Sequence, residues 1–224
     1  MSNFHARYAI RRVLFNDYSQ SGETRVLRRL FDEATPKILV NVGANDGISV
    51  SNSYEFIKEG WRGLLIEPNS TVFAKLEKNI ASCPHAKPLK LACSNSTGES
   101  PLYFACNDHK GMLSSLDNKG FWLKPGASGQ SEMVTVKTLT EVLTEENIPS
   151  DFALLLIDAE GMDLEILQGL DFKRFAPRVI VTESVLSDEE AQKNSRKAEL
   201  LLSHSYVFVT SCGRNTIWRR VHDK

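Results

Sequence analysis

The sequence predicts an α/β protein, a doubly wound and mainly parallel sheet with an antiparallel hairpin at its C-terminal edge. Three observations carry that expectation. Short apolar runs of strand length alternate with helical patterns along most of the chain. Four of those runs end in polar or acidic residues: NVGANDG at 41–47, Glu67, DAEG at 158–161 and Glu183. Finally, two β-rich runs at 206–210 and 216–220 flank Gly213-Arg214-Asn215, the pattern of a closing hairpin.

Taken in order, residues 4–18 read as an amphipathic helix with Arg7, Arg11 and Arg12 on a solvated face, and a membrane-surface helix is the lesser alternative. Residues 23–34 form a second helix through Val26, Leu27, Leu30 and Phe31, ended by Pro36. The run 37–42 is a buried strand. Val50, Tyr54, Ile57 and Trp61 then recur at helical spacing. A second strand covers 63–67, and Phe73, Leu76 and Ile80 mark the next helix. Residues 86–93 make a third, poorer strand interrupted by Pro88, and 101–105 an added one. The stretch 107–130 is rich in Gly, Ser, Asn and Lys and reads as a long functional loop. A strand at 132–137 leads into the capping box Thr138-Leu-Thr-Glu141 of a short helix. The run FALLLID at 152–158 is the most apolar in the chain, so it belongs in mid-sheet. A helix with Leu164 and Leu167 follows and stops near Gly169. After a strand at 179–182, Ser187-Asp-Glu-Glu190 caps a helix running to about His204.

Composition narrows the function classes. With 224 residues, 42% hydrophobic and 25% charged, the chain suits a core of ordinary size. A net charge of −1 gives no electrostatic case for nucleic acid or for an anionic membrane. No stretch approaches the roughly 18 apolar residues of a membrane span. RYAIRRVLF near the start lacks the apolar core of an export signal. Cys83, Cys93, Cys106 and Cys212 form no CxxC pair and are expected as reduced thiols of a cytoplasmic protein. Cys106-Asn-Asp-His109 is half a zinc site with no matching second half. Residues 1–35 are taken as an N-terminal helical lid or extension and 36–224 as the ligand-binding domain. A homo-oligomer is left open.

The polar strand ends indicate the ligand. In an open parallel sheet, ligands sit beyond the carboxyl ends of the strands. Gly43 permits close backbone approach, and Gly47 lets the turn enter the next helix. The loop GANDG lacks the middle glycine of a pyrophosphate-binding turn, and Asp46 would repel phosphate. Glu67 stands about 20 residues beyond the glycine loop, where an acid that binds ribose hydroxyls is expected. An adenosine joined to a cationic amino acid fits both features, which points to S-adenosyl-L-methionine. NAD is the competitor, disfavoured by the glycine pattern.

These residues resemble the FkbM family of S-adenosylmethionine-dependent methyltransferases. The resemblance runs from about Tyr18 to Arg220 through YSQSGE, VNVGANDGISVS, EGWRGLLIEPN, LACSNSTGE, LLLIDAEGMDLEILQGLDF and PRVIVTES. It implies a class I methyltransferase (Rossmann-like) fold of seven strands with a reversed last hairpin. It also implies methyl transfer to a hydroxyl of a sugar, lipid or secondary metabolite, so the partner is a small-molecule or glycan acceptor. Carried over by position, Asn41, Gly43, Asn45 and Asp46 should hold the methionine end of the cofactor. Glu67 should hold the ribose, Pro68 and Asn69 should border the adenine, and Ser94 and Asn95 should reach its edge. Asp158 should stand beside the reacting methyl group. The chain departs from many members at Asn41, where they carry aspartate, and near Asn95, where they carry an acid.

An alcohol is a poor nucleophile, so a base or a metal is needed. Asp158 and Glu183 end neighbouring strands in the expected order, so their carboxylates can converge. Asp158 is preferred as base; the alternative is a divalent cation held by the pair, which is not predicted. Glu160 is a further acid candidate, or simply a helix N-terminal acid. His109 is a second candidate base in the long loop. Ser114 and Ser115 are placed to bond a polyol, and Phe121 or Trp122 to stack on the acceptor or to fill a small core under the loop. Gln20 is expected to close over the cofactor. Arg214 and Asn215 touch the cofactor or make the turn, and the turn is preferred. Two rival readings are a non-catalytic adenosyl-ligand binder, suggested by Asn41, and an NAD-dependent oxidoreductase.

Overall fold

The computed structural model describes residues 3–15, 17–104, 114–117, 130–184 and 195–221. The helices are α1 (Asn3–Phe15), α2 (Glu23–Leu30), α3 (Tyr54–Lys58), α4 (Ser70–Ile80), α5 (Leu139–Glu145), α6 (Asp163–Gln168) and α7 (Arg196–Ser203). The strands are β1 (Ile38–Val42), β2 (Arg62–Ile66), β3 (Ala86–Leu89), β4 (Ala92–Ser94), β5 (Gly98–Phe104), β6 (Ser114–Ser115), β7 (Ser131–Thr138), β8 (Leu154–Ile157), β9 (Val179–Glu183), β10 (Tyr206–Cys212) and β11 (Asn215–Arg220).

The main sheet has seven strands in the order β10-β11-β9-β8-β1-β2-β3. Every pair is parallel except β11, which runs antiparallel to both β9 and β10. The apolar run at 152–158 lies at the centre, as its composition demanded. Alternation along the strands feeds two cores. Val40, Val42, Leu64, Ile66, Leu155, Ile157 and Ile180 face α5, α6 and α7. Leu39, Leu65, Leu154, Leu156, Val179 and Val181 face Leu27 of α2, Phe56 and Ile57 of α3, and Leu76 and Ile80 of α4. Helices thus cover both faces, and each fully buried leucine contributes about 1.5–3 kcal/mol. The N-terminal segment is no loose appendage, because Leu27 is completely buried in the second core.

Three expectations are corrected in detail. The strand expected at 86–93 is two strands in different sheets. Pro88 has no N–H to offer a further neighbour, so β3 stays at the sheet edge. The chain then leaves that sheet, and β4 pairs with β7 in a second sheet of order β4-β7-β5-β6. That sheet has its own small core of Ala92, Leu102, Val134 and Val136. The helix expected over 23–34 ends at Leu30 because Phe31 turns extended, with φ −110° and ψ 143°. Its ring then packs on Phe56 and Trp61, at centroid distances of 6.0 and 5.3 Å. Val50 and Trp61 fall outside α3; Val50 sits in the left-handed region at φ 55°. The capping box at 187–190 lies outside the described residues, and the described helix, α7, is capped by the Ser195 side chain on Ala198 N–H. The box at 138–141 forms as expected, with both Thr138 and Glu141 side chains bonded.

The last two strands are joined by a tight turn at Gly213 and Arg214, since Cys212 pairs directly with Asn215. This turn packs against the N-terminal segment. A β-carbon at position 213 would lie 2.5 Å from Ser21 Oγ. The carboxyl ends of β1, β2, β8 and β9, this hairpin turn and the segment before α2 therefore meet at one end of the sheet.

Candidate active site

The loop after β1 is built by its own polar side chains. The N–H groups of Gly43 and Ala44 both donate to Ile66 O, at 3.0 and 2.9 Å, which curls the chain over the end of β2. Gly43 has φ 81°, and a β-carbon there would lie 1.8 Å from Asp158 O. Only glycine lets this turn rest on the end of β8. Asp46 accepts from Ile48 N–H (3.0 Å), Ser49 N–H (2.7 Å) and Ser49 Oγ (2.7 Å). Its carboxylate therefore shapes the loop and does not line the cleft. Asn41 is buried in β1 and donates Nδ2 to Ser53 Oγ at 3.0 Å.

Glu67 follows directly on β2 and is only 5% exposed. Its two oxygens accept from Asn69 N–H (2.9 Å) and Asn45 N–H (3.0 Å), which ties the first and second loops together. Burial pushes its carboxyl up to about 7; the two N–H groups pull it down and neighbouring Glu132 pushes it further up. Asn69 caps α4 by accepting from Thr71 and Val72 N–H, at 3.0 and 3.1 Å.

A group of acids gathers beyond β8 and β9. Asp158, Glu160 and Glu183 all line the same cleft. Burial, then the charges of Glu183, Glu160 and Asp163, raise the Asp158 carboxyl well above the usual aspartate value, against the pull of Arg214. Glu183 is likewise raised by burial and by Asp163, while Arg214 and Lys197 lower it. The Arg214 guanidinium stands 3.4 Å from Glu183 Oε1. Glu160 adopts φ 49°, and its carbonyl accepts from Ser115 Oγ at 3.1 Å.

The opposite wall comes from the two ends of the chain. Asn215 Nδ2 donates to both Gln20 Oε1 and Glu23 Oε1, each at 2.7 Å. Glu23 is fully buried, so desolvation raises its carboxyl above the ordinary value. Gln20 N–H donates to Asn52 Oδ1 at 3.3 Å, and Arg11 Nη2 donates to Gln20 O at 2.5 Å. From α1, Tyr8 accepts Val50 N–H at 3.0 Å.

These walls enclose a cleft of about 260 Å³. Of the residues singled out from sequence, Gln20, Asn41, Gly43, Asn45, Glu67, Pro68, Asp158, Glu160 and Glu183 line it. Asp46, Asn69, Ser94 and Asn95 are not in its wall. Asn95 instead donates to Gln168 Oε1 at 3.4 Å, and Ser94 lines a separate polar groove with Thr97 and Glu99. His109, Phe121 and Trp122 lie outside the described residues, as does Cys106. Arg214 and Asn215 stand at the hairpin end, the preferred reading, and both also line the cleft. Sequence reasoning missed the apolar wall of Leu91, Cys93, Leu102 and Met162, which the second sheet and α6 bring in. It also missed Asp163, an acid that looks like an ordinary first-turn helix residue until its contacts are seen. Among the described residues no group of His, Cys, Asp and Glu is arranged to hold a metal ion, and no helix is long and apolar enough to cross a membrane.

The fold is shared with solved methyltransferases. A human methyltransferase 10 domain containing protein is similar over 100% of both chains, with 14% identity and a TM-score of 0.52. The METTL16 methyltransferase domain is similar over 90% of this chain and 67% of that one, with 14% identity and a TM-score of 0.51. A methyltransferase FkbM from Methylobacillus flagellatus KT aligns over 81% of this chain and 42% of its own, at 13% identity and a TM-score of 0.48. A search of curated protein sequences finds no match. The methyltransferase FkbM domain profile matches residues 41–212, from the first loop to the last hairpin. With class I methyltransferase architecture and a cleft at the strand ends, the chain belongs to the FkbM methyltransferase domain family.

Proposed function

We propose that this methyltransferase uses S-adenosyl-L-methionine to methylate a hydroxyl oxygen of a sugar, lipid or secondary metabolite. One observation carries the reading: a single cleft has Glu67 at one end and the Asp158, Glu160 and Glu183 carboxylates at the other. The residues suit the cofactor. The Gly43 turn rests its backbone on the end of β8, and both Gly43 and Asp158 line the cleft. Glu67 keeps free lone pairs for ribose hydroxyls after accepting two N–H groups. The acid-rich end suits a sulfonium and an ammonium. When bound, the cofactor supplies an electrophilic methyl group on sulfur.

The chain's own groups then divide the work. Asp158 takes the proton of the acceptor hydroxyl on its carboxylate. A cation lodged beside these acids would favour their ionised forms, so a carboxyl raised by burial and neighbouring charge becomes a competent base. Glu183, held by Arg214, adds negative charge beside Asp158 and keeps its basicity high. Gln20, Asn52 and Asn215 offer neutral amides to a hydroxyl-rich acceptor. Residues 1–35 act as the lid that excludes water, anchored by Arg11 and Tyr8. This reading takes a small-molecule or glycan acceptor as the partner and the cytoplasm as the place of reaction.

The test is direct. The protein is incubated with methyl-labelled S-adenosylmethionine and a cell extract, and the labelled product is identified by mass. A methyl ether is expected. A labelled amine or carbon centre would replace the O-directed reading, and adenosylhomocysteine failing to bind where NADH binds would remove the cofactor assignment.

A further inference from the structure

Asp163 opens α6 and is 2% exposed, yet it makes no contact with the cleft. Its carboxylate bridges two strand ends. Oδ1 accepts from Ala159 N–H at 3.2 Å, the residue after Asp158, and Oδ2 accepts from Glu183 N–H at 2.8 Å. Lys197 of α7 stands 3.5 Å from the same Oδ2 and also donates to the Glu183 carbonyl oxygen. The two cleft carboxylates that follow β8 and end β9 are therefore tied together by one ion pair, of a buried Asp163 and a half-buried Lys197, that reaches their own or adjoining backbone. The register between β8 and β9 stops at Ile157 and Thr182; beyond it Asp158 N–H donates to Val42 O at 3.0 Å and Glu183 pairs with Asn215 of β11, while Asp163 links the two ends to each other.

We propose that Asp163, braced by Lys197, is a positioning residue that sets the separation of the Asp158 and Glu183 carboxylates and the basicity of Asp158. Asp163 satisfies two buried backbone N–H groups, and both belong to the strand ends that carry the candidate reacting acids. Breaking a buried pair normally leaves an uncompensated charge. Here the ends it would release are those that carry the reacting acids. The charged groups facing Asp158 are Glu183 from β9, Glu160 from the following loop, Asp163 from α6 and Arg214 from the hairpin. Those facing Glu183 are Arg214, Asp163 and Lys197.

The inference rests on the base role of Asp158, so Asp158→Asn is run beside Asp163→Asn in the full chain. Three readouts are taken: carbon-13 titration of the aspartate and glutamate carboxyls, calorimetry with adenosylhomocysteine, and label transfer from methyl-labelled donor to a cell extract. For Asp163→Asn, adenosylhomocysteine affinity is expected to stay within about threefold of the parent. Label transfer is expected to fall about a hundredfold, the scale of a misplacement of about 1 Å. The Asp158 midpoint is expected to move to lower pH, because one repelling charge is gone. Unchanged transfer together with an unchanged Asp158 midpoint would overturn the positioning role. If Asp163→Asn fails to fold, Lys197→Met keeps both N–H bonds and is expected to raise the Glu183 midpoint and lower transfer; no change in either would overturn it equally. Transfer surviving Asp158→Asn would instead remove the base assignment, while the midpoint shift in Asp163→Asn still decides the brace.

Discussion

Gly43 sits so tightly against Asp158 that a β-carbon on the glycine would lie 1.8 Å from the aspartate's carbonyl oxygen. The loop that closes one end of the cleft and the strand end that carries the candidate base are therefore in backbone contact. Gly43→Ala must move one or both, and it also places a side chain at φ 81°. A loss of about 1–3 kcal/mol is expected from the strained backbone. Adenosylhomocysteine should bind at least about tenfold more weakly. Urea unfolding and calorimetry measure the two effects, and a variant matching the parent in both would show that the loop adapts freely.

Glu67 gives a pH dependence whose sign follows from its raised carboxyl. Its ordinary value is 4.5 and its folded value about 7, so the folded state holds the proton more tightly. The associated stability is fully present below about 4.5 and is lost as pH rises to about 7, by roughly 3 kcal/mol for this group alone. Asp158, Glu183, Asp163 and Glu23 are raised in the same direction. Urea midpoints measured from pH 5 to pH 8 should therefore fall. Glu67→Gln should flatten the slope. Ligand affinity should run the opposite way, because ribose hydroxyls donate to the ionised carboxylate: adenosylhomocysteine should bind more tightly at pH 8 than at pH 6 in the parent, and show little change in Glu67→Gln.

Asp158→Asn keeps shape and removes the proton acceptor. Methyl transfer should fall by about 10²–10⁴, the usual contribution of a positioned base. Adenosylhomocysteine binding should survive, and a parallel loss of binding would place Asp158 in cofactor recognition instead.

Asn215 joins the two ends of the chain through Gln20 and Glu23. Asn215→Ala leaves the buried Glu23 carboxylate short of a donor, at a cost of about 1–3 kcal/mol. Each kcal/mol should lower the melting temperature by about 2–4 °C in a chain of this size. Gln20 would lose its anchor too, so limited proteolysis near residue 20 should quicken. Unchanged proteolysis would argue that Arg11 and Asn52 hold the segment without it.

Much of the fold was legible because its causes are local. Unbroken apolar runs marked the buried parallel strands, and the capping box at Thr138 announced α5. The split of 86–93 was only half legible. Pro88 signalled a weak strand, but where Ala92–Ser94 would go depended on β7, some forty residues later. The early end of α2 was hidden for a similar reason: Phe31 continues the helical stripe, and only its aromatic partners Phe56 and Trp61 draw it away. At the site, the residues ending β1, β2, β8 and β9 were legible from topology alone. Asp46 and Asn69 look like ligand residues in sequence because Asp and Asn serve equally to cap turns and helices, and here their oxygens are spent on Ile48, Ser49, Thr71 and Val72.

By itself the sequence determined the strand order's logic, the central place of 154–157, the glycine turn and the acids that end the strands, since periodicity and backbone constraints act over a few residues. Only the tertiary structure decided which of those polar groups face the cleft, because that depends on partners far away in the chain: Asn215 on Gln20 and Glu23, Ser115 on Glu160, Lys197 on Asp163. A buried carboxylate is stable only where such partners meet it, and no local pattern records where they will be.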